Sequence, residues 1–270
     1  MRPFSSSPTS RARATARVAA FTALALVVAA PARAQGGGPS FVTPFSSVFI
    51  STGTLLMDVS KLNVRFERPD LLLLVPPQRT GFPTISNDGY SIGVGGYAPV
   101  GRVLFGGEWH YSDLGEESSS AGKTNRLETS YVMGTVGYAL FTGWRFTFYP
   151  FFGVGLGNAT LTLRDRNGVK QLPLTRDPSF DEIVLSYADV STLKGSYVIV
   201  QPGVGFDYLV LRSNASHVGL VLGVRFASSI TPNRTTWKFA GRSVFGAPDV
   251  APKGAMLRLV LGIGGFRLAK

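Results

Sequence analysis

Hydrophobic and polar residues alternate with a period of two along much of the chain, in segments of about 10–14 residues. In residues 218–227, for example, Val218, Leu220, Leu222, Val224 and Phe226 share one face, whereas the other face carries Gly219, Gly223 and Arg225. Because successive side chains of a strand point to opposite sides, each segment is predicted to be a strand with one apolar face. Five segments show the pattern clearly: 102–112, 145–157, 197–210, 218–227 and 257–264. Three more show it weakly, at 47–67, 89–98 and 127–140, which makes eight predicted strands.

The connections between these segments alternate strictly between short and long. The short ones lie at 99–101, around 142–143 and at 212–216, and the long ones at 60–88, 114–125, 164–194 and 229–253. Outer-membrane barrels have short periplasmic turns and long extracellular loops. An eight-stranded barrel with a periplasmic N-terminus has three of the former and four of the latter. We therefore predict an all-β fold, an eight-stranded antiparallel up-and-down transmembrane β-barrel with short periplasmic turns and four long extracellular loops.

The N-terminus has the features of a secretory signal peptide. Residues 1–34 contain a basic start, an apolar stretch at 18–30 and an Ala-Arg-Ala cleavage pattern at 32–34. The alternative is an uncleaved anchor. We assign 1–34 to the signal peptide, 35–46 to a leader and 47–270 to the barrel. No later apolar run is long enough for a helical membrane span, so the cell outer membrane of a Gram-negative bacterium is the expected location.

Charge and composition agree with this assignment. Removing the five arginines of the signal peptide lowers the net charge from +11 to +6, which argues against a nucleic-acid partner. The absence of cysteine excludes disulfides and thiolate metal sites, and two histidines leave little for another metal centre, so neither cofactor nor metal is expected. The 32 glycines suit a narrow lumen, and the aromatic residues suit the lipid face and its two interfaces. Glycine runs such as 153–157 lack the following helix that a dinucleotide-binding fingerprint requires.

The strand parity places a set of polar side chains inside the barrel. Buried charges need partners, so we predict a network of ion pairs and hydrogen bonds that fills the lumen. A narrow ion path is the alternative. The predicted lumen residues are Glu108, His110, Gln201, Asp207, Arg225 and Arg258.

Two loops carry candidate contacts. Arg234, Lys238 and Arg242, in the fourth loop, could meet the phosphates of lipopolysaccharide. The first loop contains an apolar run that could touch lipid, cap the barrel mouth or bind an apolar ligand. The residues of that run are Leu71, Leu72, Leu73, Leu74 and Val75.

Some positions do not follow a simple barrel pattern. Pro150 and Pro202 lie within predicted strands, where they need a bulge or a gap in the ladder. The alternation of Leu62, Val64 and Phe66 continues beyond the expected membrane part of the first strand, whose limits are therefore open.

Taken together, the chain resembles the eight-stranded outer-membrane β-barrel families, broadly the OmpA/OmpX/OmpW-like group. The resemblance is carried by the signal peptide and by YPFFGVGLGNA at 149–159, VQPGVGFDYLVL at 200–211, HVGLVLGVRF at 217–226 and MLRLVLGIGGF at 256–266. It implies contact with outer-membrane lipid and lipopolysaccharide, and insertion by the barrel assembly machinery. Such barrels usually end in an aromatic residue, whereas Phe266 is followed by four residues and has the inward parity, so a bulge at 264–265 or an unusual insertion signal is expected.

Three functions remain open on the sequence. The first is a non-enzymatic role carried by the loops: structural, surface-contact, or small-solute or apolar-ligand binding. The second is hydrolysis of lipid A, because His110 and Ser112 have the His-x-Ser spacing of small barrel deacylases. The third is a soluble lipocalin-like barrel, whose apolar face would point inward. The oligomeric state is not determined, with a monomer expected.

Overall fold

The computed structural model describes residues 45–67, 80–143, 145–169, 176–186, 188–213, 218–233 and 235–265. The predicted signal peptide at 1–34, the apolar run Leu71 to Val75, Arg234 and Phe266 lie outside these ranges. Among the described residues, no helix has the length and apolar character to cross a membrane.

Eight long antiparallel strands form a closed ring, as the alternation predicts. Each pairs with its neighbours in the chain order, and the first and last strands pair with each other to close it. The ring strands are β1 Ser46–Leu56, β2 Asp88–Val100, β3 Val103–Ser118, β4 Lys123–Tyr138, β6 Phe146–Asp165, β7 Val190–Ser213, β8 Val218–Ser229 and β11 Gly254–Gly265. Three short strands lie outside the ring: β5 Phe141–Thr142, β9 Thr236–Phe239 and β10 Arg242–Ser243. Two helices, α1 Ser60–Glu67 and α2 Phe180–Leu185, lie in the long connections.

The outer face of the ring is apolar on every strand. Large hydrophobic side chains alternate with buried residues and are exposed by about 40–60%. They include Ile50, Ile92, Phe105, Val132, Val136, Phe152, Val154, Leu156, Phe206, Leu222, Val224, Phe226, Leu257, Leu259, Leu261 and Ile263. The inward positions carry glycine and polar residues together with buried apolar side chains such as Phe49, Met133 and Val221. The ring is therefore apolar outside, and its interior holds the buried charged side chains.

On one side of the ring the connections are short, and on the other they are mostly long. The β2–β3 turn is only residues 101–102, and the β4–β6 connection, 139–145, includes β5. On the opposite side the connections are 57–87, 166–189 and 230–253. The second connection on this side, predicted at 114–125, is a turn of residues 119–122, because β3 and β4 continue as paired strands above the rest of the ring.

The segment that follows β1 is helical rather than strand. The alternation of Leu62, Val64 and Phe66 falls within α1, which buries Leu62 and Phe66, one helical turn apart, and leaves Val64 58% exposed. Three apolar residues at every second position fit a strand, but the first and third of them, Leu62 and Phe66, are also four residues apart and fit one face of a helix. Burial of these two side chains in the core favours the helix, so strand 1 ends at Leu56.

Both prolines lie beside gaps in the ladder and not in bulges. The β6–β7 register runs without a shift through Pro150 and Pro202. The β4–β6 ladder ends at Phe151, so that Pro150, the preceding residue of the chain, has no partner on β4. The β7–β8 ladder likewise ends at Gly203, next to Pro202. The missing N–H of each proline thus faces the strand edge that makes no ladder bond there. The bulge at 264–265, one of the two alternatives given for the parity of Phe266, is also absent, since β11 keeps its register with β8 through Gly265.

Candidate functional site

Glu108 is the centre of an ionic cluster inside the ring. It extends from β3, and its two carboxylate oxygens accept hydrogen bonds from Arg225 on β8 and Arg258 on β11. The distance from Arg258 Nη1 to Glu108 Oε2 is 3.0 Å. All three side chains are at most 5% exposed. Because the arginines are also direct register partners, one carboxylate meets two adjacent guanidinium groups.

His110, Tyr131 and Gln201 extend this cluster into a network. His110 Nε2 lies 2.8 Å from Glu108 Oε2 and 3.0 Å from Arg258 Nη1, and its ring stacks on Tyr131 at 4.9 Å between centroids. Arg258 donates to the Tyr131 hydroxyl and, at 3.1 Å, to Gln201 Oε1. The network therefore joins strands from opposite walls of the barrel.

Asp207 forms a second polar centre nearer the short turns. Its Oδ2 accepts hydrogen bonds from the hydroxyls of Tyr97 at 2.7 Å and Tyr149 at 2.8 Å. Arg225 lies between the two centres, with its guanidinium carbon 4.0 Å from the ring centroid of Phe49. The structure thus places all six predicted lumen residues inside the ring and divides them between these two centres.

Glycine makes room for the larger members of this interior. A Cβ at Gly93 would overlap the His110 ring, and one at Gly157 would overlap the phenol of Tyr197. These close approaches explain why glycine occupies inward positions opposite bulky neighbours. A small cavity between Tyr97, Glu108, Tyr149 and other lining residues has a volume of about 10 Å³, room for about one water molecule.

Above the polar network, the long connections build an apolar cap. We use this name for α1, α2 and the β9–β10 hairpin, which share one core with the upper strands. The fully buried side chains of this shared core include Leu193 on β7 and, in the cap, Leu62, Phe66, Phe180, Val184 and Trp237, each at most 2% exposed. All of these residues lie in predicted loops, and the cap itself is not predicted, because its members come from distant parts of the chain.

Polar contacts hold the pieces of the cap together. Asn63 on α1 donates to the carbonyl of Ile85 at 2.9 Å and accepts from its N–H at 2.8 Å. Arg65 on α1 and Asp181 on α2 form an ion pair at 3.1 Å. The indole of Trp237 donates to the carbonyl of Pro248 at 2.8 Å. The loop side of the barrel is therefore a packed structure.

Four tyrosines are buried in the interior, Tyr97, Tyr131, Tyr149 and Tyr197, and two of them, Tyr149 and Tyr197, have the inward parity of their segments. Tyr97 and Tyr131 belong to strands whose alternation is imperfect, and both are at most 6% exposed. The available signal is parity: Tyr97 follows Gly93 and Gly95 at intervals of two.

The His-x-Ser pair does not form a hydrogen-bonded dyad on the outer face of the ring. His110 and Ser112 are both 0% exposed, and His110 is bonded to Glu108 and Arg258. Ser112 Oγ is buried without a hydrogen-bond partner among the described residues. No group of three metal-ligating His, Cys, Asp or Glu side chains occurs in the described part of the chain.

Two of the three predicted lipopolysaccharide residues lie in the described part of the chain. Lys238 and Arg242 are exposed on the β9–β10 hairpin, but Arg242 Nη1 lies 4.0 Å from a carboxylate oxygen of Asp177. Arg234 lies outside the described residues.

Comparison with known proteins identifies no family. No protein-family model matches the chain, and no curated protein sequence matches it. Among solved structures it is similar to Ail, the attachment invasion locus protein of Yersinia pestis, with 9% identity, a TM-score of 0.41 and coverage of 83% of this chain and 98% of Ail.

Two other solved structures give comparable values. Neisserial surface protein A has 11% identity and a TM-score of 0.36, covering 84% of this chain and 100% of that one. A major outer membrane protein from Thermus thermophilus has 12% identity and a TM-score of 0.38, covering 82% of this chain and 98% of that one. The barrel architecture itself is established by the strand pairing.

Proposed function

We propose that this chain is a non-enzymatic outer-membrane β-barrel protein, exported by residues 1–34, that displays a folded cap at the cell surface. The observation that carries this proposal is the band of exposed apolar side chains on all eight ring strands. Monomeric soluble proteins rarely expose continuous apolar surface beyond a few hundred Å². In a bilayer this apolar surface contacts hydrocarbon instead of water, so the free-energy cost of its exposure to water disappears. A closed ring also leaves no unpaired strand edge in the bilayer.

The distribution of polarity argues against the lipocalin-like alternative. A soluble barrel needs a polar outer face and an apolar interior. This ring has the opposite arrangement, with Ile50 and Leu259 outside and Glu108, Arg225 and Arg258 inside.

A filled lumen argues against solute passage as the main role. The Glu108 and Asp207 centres occupy the interior, and the apolar cap shares a core with the strands above them. An ion would have to separate buried charges from their partners, which is costly. The barrel thus acts as an anchor, and its surface role belongs to the cap.

The geometry does not favour a lipid A hydrolase. A serine nucleophile needs a hydrogen-bonded base and access to its substrate. Both His110 and Ser112 point into the packed interior, away from lipid.

Three measurements on the purified, folded protein test the proposal. Insertion into lipid vesicles and a heat-dependent shift in gel mobility are expected, and a protein that remains in the soluble fraction overturns the membrane assignment. In planar bilayers the inserted protein is expected to give no discrete conductance steps. Regular steps at neutral pH would support the pore alternative.

A further inference from the structure

Two lysines lie side by side on the outer face of the barrel, just above its apolar band. Lys194 on β7 and Lys238 on β9 are direct register partners, and both side chains are exposed. Strand β9 pairs with the upper part of β7, above β8, and so continues the barrel wall. The two ammonium groups therefore extend from neighbouring positions on the same surface.

Their height relative to the apolar band follows from β7 itself. Its outward side chains are apolar from Tyr208 to Val198. Ten steps of about 3.3 Å at a tilt of about 40° give about 25 Å, the height of the lipid-facing band of a membrane barrel. Lys194 lies four residues further, about 10 Å above the band by the same geometry. A lysine side chain at this level reaches the headgroup region.

Neither lysine has an acidic partner among the described residues. Other lysines do: Lys123 pairs with Asp165 and Lys253 with Asp58. Like charges directly opposite each other in a ladder are destabilising, so the Lys194–Lys238 pair has an unfavourable electrostatic energy within the protein.

The other wall of the barrel provides a contrast. On β3 and β4, the outward Arg126 forms ion pairs with Asp113 and Glu128. The positive charge of Arg126 is therefore compensated within the protein, whereas the wall formed by β7 and β9 presents uncompensated positive charge at the headgroup level.

We propose that Lys194 and Lys238 together bind a phosphate group of an outer-leaflet lipid. Two adjacent ammonium groups match the charge of a phosphate monoester, and binding it relieves their mutual repulsion. This inference rests on the proposed function, because it requires the barrel to be in the outer membrane. The proposed lipid contact does not include Arg242, which lies within ion-pair distance of Asp177.

The test uses the full-length mature barrel, folded in nanodiscs of zwitterionic lipid, with bisphosphorylated lipid A as the probe. The double variant K194Q/K238Q removes both charges without touching buried residues. Its affinity for lipid A is expected to fall about 30-fold, since each lysine near a charged membrane surface contributes about fivefold. The matched control is K61Q, which removes an exposed charge from α1, and its affinity is expected to stay unchanged.

Two further probes separate the sources of phosphate. Dephosphorylated lipid A is expected to bind the wild type as weakly as it binds the double variant. Inorganic phosphate at millimolar concentration is expected not to displace bound lipid A. Equal losses in K61Q and the double variant, tight binding of dephosphorylated lipid A, or displacement by free phosphate would each overturn the proposal. A wild-type protein that fails to insert into vesicles contradicts the proposed function instead, before lipid binding is measured.

Discussion

Arg225 and Arg258 are direct register partners in the ladder between β8 and β11, and both guanidinium groups lie inside the barrel. Two adjacent buried cations are unfavourable unless an anion is shared between them. Glu108, from β3, supplies that anion through its two oxygens. The stability of this interior thus depends on ion pairs between β3 and the two distant strands β8 and β11.

Replacing Glu108 by glutamine tests this role. The change keeps the shape of the side chain but removes the carboxylate that forms ion pairs with both arginines. We expect the free energy of unfolding to fall by about 3–5 kcal/mol, the usual cost of breaking a buried pair. Urea unfolding in lipid vesicles measures it. The control E117Q removes an exposed carboxylate of the same strand and is expected to change stability by less than about 0.5 kcal/mol.

Replacing Gly93 by alanine tests the close packing around His110. The added Cβ overlaps the imidazole ring, so the ring must move away from Glu108 or the strand must shift. We expect a loss of about 1–3 kcal/mol, as for other overpacked sites. Gly134 provides the comparison, because a Cβ there meets nothing within 4 Å. If G93A and G134A unfold at the same urea concentration, the packing account is wrong.

Replacing Trp237 by alanine tests whether the cap is a packed unit. The side chain is 2% exposed, and deleting a buried tryptophan costs about 3–5 kcal/mol. We expect faster proteolysis within residues 166–189 and 230–253, while the ring strands remain resistant. F245A removes an aromatic ring that is 61% exposed and is expected to leave the cleavage rate unchanged. Equal cleavage of both variants would contradict a packed cap.

Asp58 gives a pH dependence at the start of α1. Its hydrogen bond from the Ser60 hydroxyl at 2.6 Å lowers the pKa of the carboxyl below its usual value, and Lys253 at 3.6 Å acts in the same direction. A lowered pKa in the folded state means that the stabilisation is present above the ordinary pKa and is lost as the pH falls through the folded value. Hydrogen exchange of the α1 amides should therefore lose protection as the pH falls from about 6 to about 3.

D58N is the comparison for this effect. It lacks the titrating group, so the protection of its α1 amides, corrected for the intrinsic exchange rate, is expected to change little over the same range. A pH-dependent loss of the same size in D58N would show that another group is responsible.

Much of the ring could be predicted from local pattern. Inward and outward positions follow from the period of two, so Glu108 and Arg258 could be placed inside and Leu259 outside without knowledge of any contact. The positions of Pro150 and Pro202 also indicated a local departure from regular pairing, although the choice between bulge and gap required the registers on both strand edges.

Other features depended on contacts between distant parts of the chain. Residues 61–67 contain both a strand-like and a helix-like pattern, and burial of Leu62 and Phe66 in the cap selects the helix. The residues at 114–118 look like a polar loop but continue β3, because β4 offers a ladder partner for most of them.

The sequence by itself determined the number of ring strands, their inward and outward faces and the positions of the connections between them, because these depend on a period of two and on turn composition. Only the tertiary structure decided that Glu108 joins Arg225 and Arg258, that the long connections form a cap, and that Lys194 lies beside Lys238. The physical reason is that periodicity specifies the direction of a side chain from its own strand, whereas partners across a barrel depend on register and closure.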